Sequence, residues 1–369
     1  MSQTPPSIPL TLLDWRRKLS LRRHPNVWEQ FRNAFQDAGV TLWPFHPTYS
    51  DTMPLQAKVE KFPLPNGYSF VTAHRGLEGK EASMAIGSAR DLAWYQYKND
   101  LTRAACLQNG HNVVVRIIVL RDEGAAHLSI LRKIATGHLG LISSNHTLPL
   151  LKEVTCDCAT FGVFPFVGGG HIRNAFDSGW AKTSSGDILD MVMQALEGLA
   201  FIHDFNIAHR DAFSDNFLVQ WQPESLYAMK VPVVRPKVYL IDFEAAIAFE
   251  EDSLPSDRTC TGLPMAKPGV YARPTLPEMQ SGQPYDPFKL DVWQLAVSLT
   301  FQTGIEAVDR TLSNMRVIDA AERPTAREAL SQLSDILCDM PPRSLLTPLS
   351  PTPRQPGAFA TPSYIGSCH

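Results

Sequence analysis

The amino-acid sequence predicts an α+β chain in two parts, a small antiparallel sheet with one helix ahead of a larger, mostly helical part. Three observations carry that expectation. At 369 residues the chain exceeds a usual single domain, and a prior of about 150 residues per domain gives roughly two. Two β-prone runs, Leu101 to Leu107 and Val113 to Leu120, flank Gln108-Asn109-Gly110-His111; Asn-Gly tolerates positive φ at both positions and is the strongest short-range hairpin signal. Beyond Asp187 the apolar residues recur mainly at the spacing of helices with one face against a core.

Hydrophobic residues make up 44 % of the chain, charged residues 19 %, and the formal net charge is -3. That balance suits an ordinary globular body and supplies no bulk attraction to nucleic acid or an anionic membrane. Neither is expected as a partner. Cys106, Cys156, Cys158, Cys260, Cys338 and Cys368 follow no framework spacing, no apolar run near the start has the length of a signal peptide, and no segment approaches the ~20 apolar residues of a membrane span. The expectation is an intracellular protein, cytoplasmic or nuclear, with reduced thiols.

Taken in order, residues 1–9 are rich in Pro, Ser and Thr and have too little apolar surface to offset the entropy of ordering, so they are expected to be disordered. Residues 10–60 read as a helical extension. Leu10 to His24 interleaves Leu12, Leu13, Trp15, Leu19 and Leu21 with Arg16, Arg17, Lys18, Arg22 and Arg23; such a helix lies on a membrane surface or, more simply, packs its leucines on the body. Val27, Trp28, Phe31 and Phe35 fall at helical spacing, and Gly39 stands where a C-terminal cap belongs. A strand is expected at Tyr68 to Thr72. After the hairpin, Leu128, Ile130, Leu131, Ile134 and Ala135 mark an amphipathic helix from Glu123 to Ala135. A strand pair, Leu150 to Val154 and Thr160 to Phe166, ends at the flexible Val167-Gly168-Gly169-Gly170. Ser185 is an N-cap for a long helix from Asp187 to His203. Phe217 to Trp221 and Val238 to Ile241 read as short strands bracketing an insert at 222–237, and Leu290 to Leu299, apolar on most faces, as a buried helix. Ala326 to Leu337 forms a last amphipathic helix, and residues 340–369, rich again in Pro, Ser and Thr, are expected to be a disordered tail.

The chemistry concentrates in Ile207 to Asn216, which reads I-A-H-R-D-A-F-S-D-N, and in L-I-D-F-E at Leu240 to Glu244. Together with Pro277-Glu278, Asp291-Val292-Trp293 and Arg323-Pro324, in that order and at workable separations, these stretches resemble the eukaryotic protein kinase family. The resemblance runs from about Leu101 to Leu337 and is strongest to kinase-like domains of filamentous fungi. It implies a two-lobed protein-kinase-like fold, with an N-lobe over 61–166 and a C-lobe over 167–339. It also implies ATP and Mg2+ as cofactors, and transfer of the ATP γ-phosphate to a protein hydroxyl, serine or threonine being favoured.

Residue by residue, the resemblance makes Asp211 the base in the His209-Arg210-Asp211 segment, Asn216 and Asp242 the magnesium ligands, and Arg210 the reader of a phosphorylated segment. Candidate sites for that phosphate are Ser253, Ser256, Thr259 and Thr261. Glu278 and Arg323 look like the family's buried ion pair, and Asp291 like the aspartate that holds the catalytic-loop backbone. The alternative is a pseudokinase serving as a scaffold or regulatory module for a protein partner. The third reading is a small-molecule kinase of the choline-kinase-like type, since I-D-F-E resembles that branch too; the Leu-Pro-Glu, Asp-Val-Trp and Arg-Pro segments argue against it.

Several surrounding parts depart from the pattern. Where the family has a phosphate-gripping lysine, Val113-Val114-Val115 leads into Arg116, which keeps the charge but not the compact ammonium. The helix glutamate that would orient it is His127, with Glu123 one turn earlier as a substitute. No G-x-G-x-x-G precedes the hairpin, Phe213 stands where the serine/threonine branch has a lysine, and Glu244 replaces a glycine. Cys156 and Cys158 lack two further ligands at zinc spacing and read as two thiols on one strand face. Thr347-Pro348, Ser350-Pro351, Thr352-Pro353 and Thr361-Pro362 look like proline-directed phosphorylation sites, or are simply the tail's composition.

Overall fold

The computed structural model describes residues 8–17, 27–46, 50–52, 94–96, 100–167, 170–173, 185–220, 236–265 and 271–351. The expected strand at Tyr68 to Thr72, Gly168 and Gly169 of the expected flexible run, and most of the insert lie outside them. The chain forms two compact units, Met1–His171 with Leu218–Glu244, and Ile172–Phe217 with Ala245–His369.

A five-stranded antiparallel sheet forms the first unit's centre, in the order Val40–Leu42, Thr102–Leu107, Asn112–Leu120, Ala159–Pro165, Lys152–Cys156. The hairpin pairs Thr102 with Arg116 and Cys106 with Asn112. Its turn differs from the two-residue form that Asn-Gly suggests. Four residues link the strands, Leu107 N–H donates to His111 O at 2.9 Å, and only Gly110 takes a positive φ, +84°. Strand alternation turns Val113, Val115 and Ile117 into the core, and Arg116 to the opposite face.

That core is built with the N-terminal extension. Helix Leu12–Arg17 and the stretch Val27–Phe31, which continues as helix Arg32–Asp37, place Trp15, Trp28, Phe31 and Phe35 around Phe161 with ring centroids 5.0 to 6.4 Å from it. Both indole N–H groups donate to the carbonyl of Asp100 at 2.9 Å, which satisfies the only polar atom each ring buries. The extension expected as helix to residue 60 turns to strand at Val40. Gly39 ends the helical part at φ +73°.

Helix Ala125–Ile134 begins two residues later than expected because Gly124, at φ +92°, precedes it. A Cβ there would lie 1.9 Å from the carbonyl oxygen of Ile118, so only glycine fits this turn.

In the second unit, helix Ser185–Asp204 packs against helices Pro287–Val297 and Ala326–Cys338. Asp286 caps Pro287–Val297 by accepting from Phe288 and Lys289 N–H, and Thr325 with Glu328 forms a capping box for Ala326–Cys338. Leu290 through Ala296 are all buried, as an all-round apolar pattern requires. A further helix, Glu306–Asn314, has too few apolar positions to stand out in the sequence. Ser185 lies inside its helix instead of capping it, and its N–H and hydroxyl donate to Thr347 O at 2.9 and 2.8 Å. Residues 340–351, assigned by composition to a disordered tail, are thereby held. Leu345 packs on Gly186, and Ser350–Pro351 pairs with Phe301–Gln302; one leucine and a few backbone bonds suffice where proline content suggested disorder.

Candidate active site

In the second unit, strand Ile207–Ala208 pairs with Ile247–Ala248 and delivers the chain to a loop whose backbone is unusual. Arg210 sits at φ +63°, a region costly for a side chain of its size unless the surroundings fix it. They do so from one helix face. Asp291, fully buried, accepts the N–H groups of His209 at 2.7 Å and Arg210 at 2.6 Å; its Oδ2 also meets His203 Nε2 at 2.9 Å. Gln294 donates to Arg210 O and accepts from Ala212 N–H, both at 2.8 Å, and Ser298 Oγ accepts from Ser214 N–H at 2.8 Å. Positions 291, 294 and 298 lie on one helical face. The loop is therefore held by its own backbone, whatever its side chains do.

Asp211 lies within this frame. Asn216 donates its carboxamide N–H to both Asp211 O and Asp211 Oδ2 at 2.7 Å, so its oxygen is the atom left to face a cation. Arg273 grips Asp211 with a fork, Nε to Oδ1 and Nη2 to Oδ2 at 3.1 Å each, and reaches Asp215 through Nη1 at 2.8 Å. Its guanidinium lies 4.9 Å from the centre of the Phe213 ring. Burial opposes the charge on Arg273, but Asp211 and Asp215 outweigh it and push its pKa above the usual arginine range. His209 is buried and its Nδ1 accepts from Asp211 N–H at 3.3 Å. Arg210 turns toward Leu263 O, at 3.3 Å, while Ser253 accepts from Arg258 at 3.0 Å.

The first unit carries Arg116, Asp242 and Glu244 together. Arg116 Nη2 bridges Asp242 Oδ1 at 2.6 Å and Glu244 Oε2 at 3.0 Å, and Arg16, from the N-terminal helix, bonds the same Glu244 oxygen at 2.5 Å. Burial alone would raise the pKa of Asp242, but Arg116, His127 and Arg16 together hold it well below the usual carboxylate range. His127 is thus a buried neighbour of this cluster. Glu123 precedes the helix in the turn, and its Oε2 accepts Leu12 N–H at 2.7 Å. The positive φ of the turn falls on Asp242, +68°, while Glu244 sits in the short helical turn Phe243–Ala245; no glycine is needed at 244.

Arg323 is fully buried, yet Glu278 stands 3.5 Å away and the closer partners are the carbonyls of Val317, Ile318 and Lys289 at 2.8 to 2.9 Å. Burial shifts both members toward their neutral forms, Glu278 upward and Arg323 downward. The carbonyls, more than the glutamate, hold this arginine.

Arg273, Gln294 and Ser298 were not singled out in the sequence, and Arg16 stood there only as one of a basic run. Gln294 and Ser298 leave a signal, polar residues three and seven positions after Asp291 beside a largely apolar helix; Arg273 leaves none. Among the described residues no three His, Cys, Asp or Glu side chains gather as a metal site, and no helix is long and apolar enough to cross a membrane.

No protein-family model matches the chain. Over 163 residues, 43 % of its length, it is 30 % identical to the serine/threonine-protein kinase ppk8 of Schizosaccharomyces pombe. The matched stretch covers 25 % of that relative's own length. The similarity makes this chain kinase-like at a coarse level, and the α+β architecture agrees with it.

Proposed function

We propose that the chain is a protein-kinase-like phosphotransferase that moves the ATP γ-phosphate to a protein hydroxyl, with serine or threonine favoured. The observation that carries this reading is the Asp211 loop, held by Asp291, Gln294 and Ser298 so that a carboxylate is presented on a fixed backbone. Phosphoryl transfer asks the protein mainly for positioning and charge. In the proposed step the acceptor hydroxyl gives its proton to Asp211 as its oxygen bonds to the γ-phosphorus, and the bond to the ADP oxygen breaks. Each unit offers a hard oxygen ligand of the kind magnesium takes: Asp242 in the first, whose carboxylate its cationic neighbours favour, and Asn216 in the second, which keeps a carboxamide oxygen after spending its nitrogen on Asp211. When bound, magnesium would neutralise phosphate charge. Arg116 is the cation that stands in the strand position of the phosphate-gripping lysine.

A second reading, a nucleotide-responsive pseudokinase, is favoured by one observation: Asp242 and Asp211 are both engaged by arginines of the chain itself. Incubation with labelled ATP and magnesium, beside Asp211→Ala and Asp242→Ala, separates the two. Label transferred by the wild type and lost in both variants supports catalysis. Equal labelling of all three, or none with generic protein substrates, removes the enzyme reading, and a thermal shift on adding ATP and magnesium would then support the pseudokinase.

A further inference from the structure

Arg273 stands outside every motif that the resemblance supplied, yet it makes three hydrogen bonds to the loop's carboxylates. Its fork fixes both oxygens of Asp211, its third nitrogen ties down Asp215, and the Phe213 ring lies under its plane. A guanidinium has five N–H donors in a rigid plane, of which these three bonds use three. The side chain is 29 % exposed, so the charge is neither sealed in the core nor loose in solvent. Phe213 occupies the place where the resembled pattern has a lysine, and the cation that the loop lacks at that position arrives on its ring from a different part of the chain.

Resting on the phosphotransferase reading, we infer that Arg273 is the positioning residue of this loop: it fixes the carboxylate of Asp211 in one orientation and supplies the loop's positive charge in place of a lysine. The fork explains why arginine is present. An ammonium lacks the fork that meets Oδ1 and Oδ2 at once, and would leave Oδ2 to its bond from Asn216. It also gives Phe213 a role, since a flat aromatic face supports a flat cation.

The test is steady-state phosphotransfer by the full chain and its Arg273→Lys and Arg273→Ala variants, with thermal melting as a control for folding. An interaction that matters only at the transition state lowers kcat while leaving KM in place; we expect kcat to fall by about tenfold or more in Arg273→Ala, with KM for ATP within about twofold, and less in Arg273→Lys. Guanidinium ion below denaturing concentration should restore part of the Arg273→Ala rate and none of the Asp211→Ala rate. A binding readout accompanies these. The wild type should bind ADP with aluminium fluoride and magnesium more tightly than ADP with magnesium alone, and Arg273→Ala should lose that difference while binding ADP unchanged. Unaltered kinetics in Arg273→Ala, or a loss in which ADP binding and melting fall together and guanidinium restores nothing, overturns the inference alone. If Arg273→Ala does not fold, wild-type kcat and aluminium fluoride binding in Arg273→Lys overturn it equally. A wild type that neither transfers phosphate nor binds nucleotide overturns the phosphotransferase reading and this inference with it.

Discussion

Asp242 is a half-buried charged group and Arg323 a fully buried one, and they are held in opposite ways. Asp242 gains from its neighbours: two arginines and a histidine outweigh its burial and depress its pKa. An acid depressed on folding contributes stability above its unfolded value of about 3.9 and loses it as pH falls through the folded value. The thermal midpoint of the wild type should therefore exceed that of Asp242→Asn near neutrality, and the gap should close between about pH 5 and pH 2; a gap independent of pH would show that the ion pair contributes nothing. Glu278 is shifted the other way, so its ionised form costs stability once the pH exceeds its unfolded value. Glu278→Gln should melt at or slightly above the wild-type midpoint at pH 7. Arg323→Met, which strands three buried carbonyls, should lose about 3 kcal/mol or more in a denaturant titration. The histidine, arginine, aspartate and asparagine of the loop were readable because they lie within eight residues of one another. Arg273 was not, because it meets Asp211 from 62 residues away, and an isolated arginine carries no spacing to read.

At the scale of elements, helix Pro287–Val297 does two jobs. Its apolar residues build the core, and Asp291, Gln294 and the capping residue Ser298 complete the backbone of a loop some eighty residues earlier. Asp291→Ala would leave the N–H groups of His209 and Arg210 without their acceptor, at about 1 to 3 kcal/mol for each buried donor. The expected outcome is faster hydrogen exchange at these two amides while amides in helix Ser185–Asp204 keep their protection; uniform loss would mean that the unit itself has come apart. Element positions were legible wherever periodicity was strong, as in the long helix, the hairpin and Ala326–Cys338. The late start of helix Ala125–Ile134 was not, because it is set by the Ile118 carbonyl beside Gly124, a tertiary contact with no trace in local sequence. Helix Glu306–Asn314 escaped for a different reason: it buries only Val308, Thr311 and Leu312, one of them polar.

At the scale of the molecule, the N-terminal extension is part of the first unit's core. Trp28 is 2 % exposed and stacks among Trp15, Phe35 and Phe161, and truncating a buried aromatic of this kind costs about 3 to 5 kcal/mol. Trp28→Ala should lower the denaturant midpoint accordingly, and should free the Asp100 carbonyl of one of its two donors. A midpoint within experimental error of the wild type would show that the extension is dispensable. The resemblance in the sequence stopped short of these residues, so their helical spacing was legible but their destination, one phenylalanine on a strand far along the chain, was not. The two units also share the chain unevenly. Residues 218–244 belong to the first unit although they follow the second unit's longest helix, and they are tied back through Leu240 N–H to His146 O and Leu148 N–H to Leu240 O at 2.6 and 3.1 Å. During synthesis, then, the first unit waits for a strand that leaves the ribosome only after part of the second has emerged. No single cut of the gene yields either unit intact, and a fragment ending at His171 would be translated without the strand that completes it.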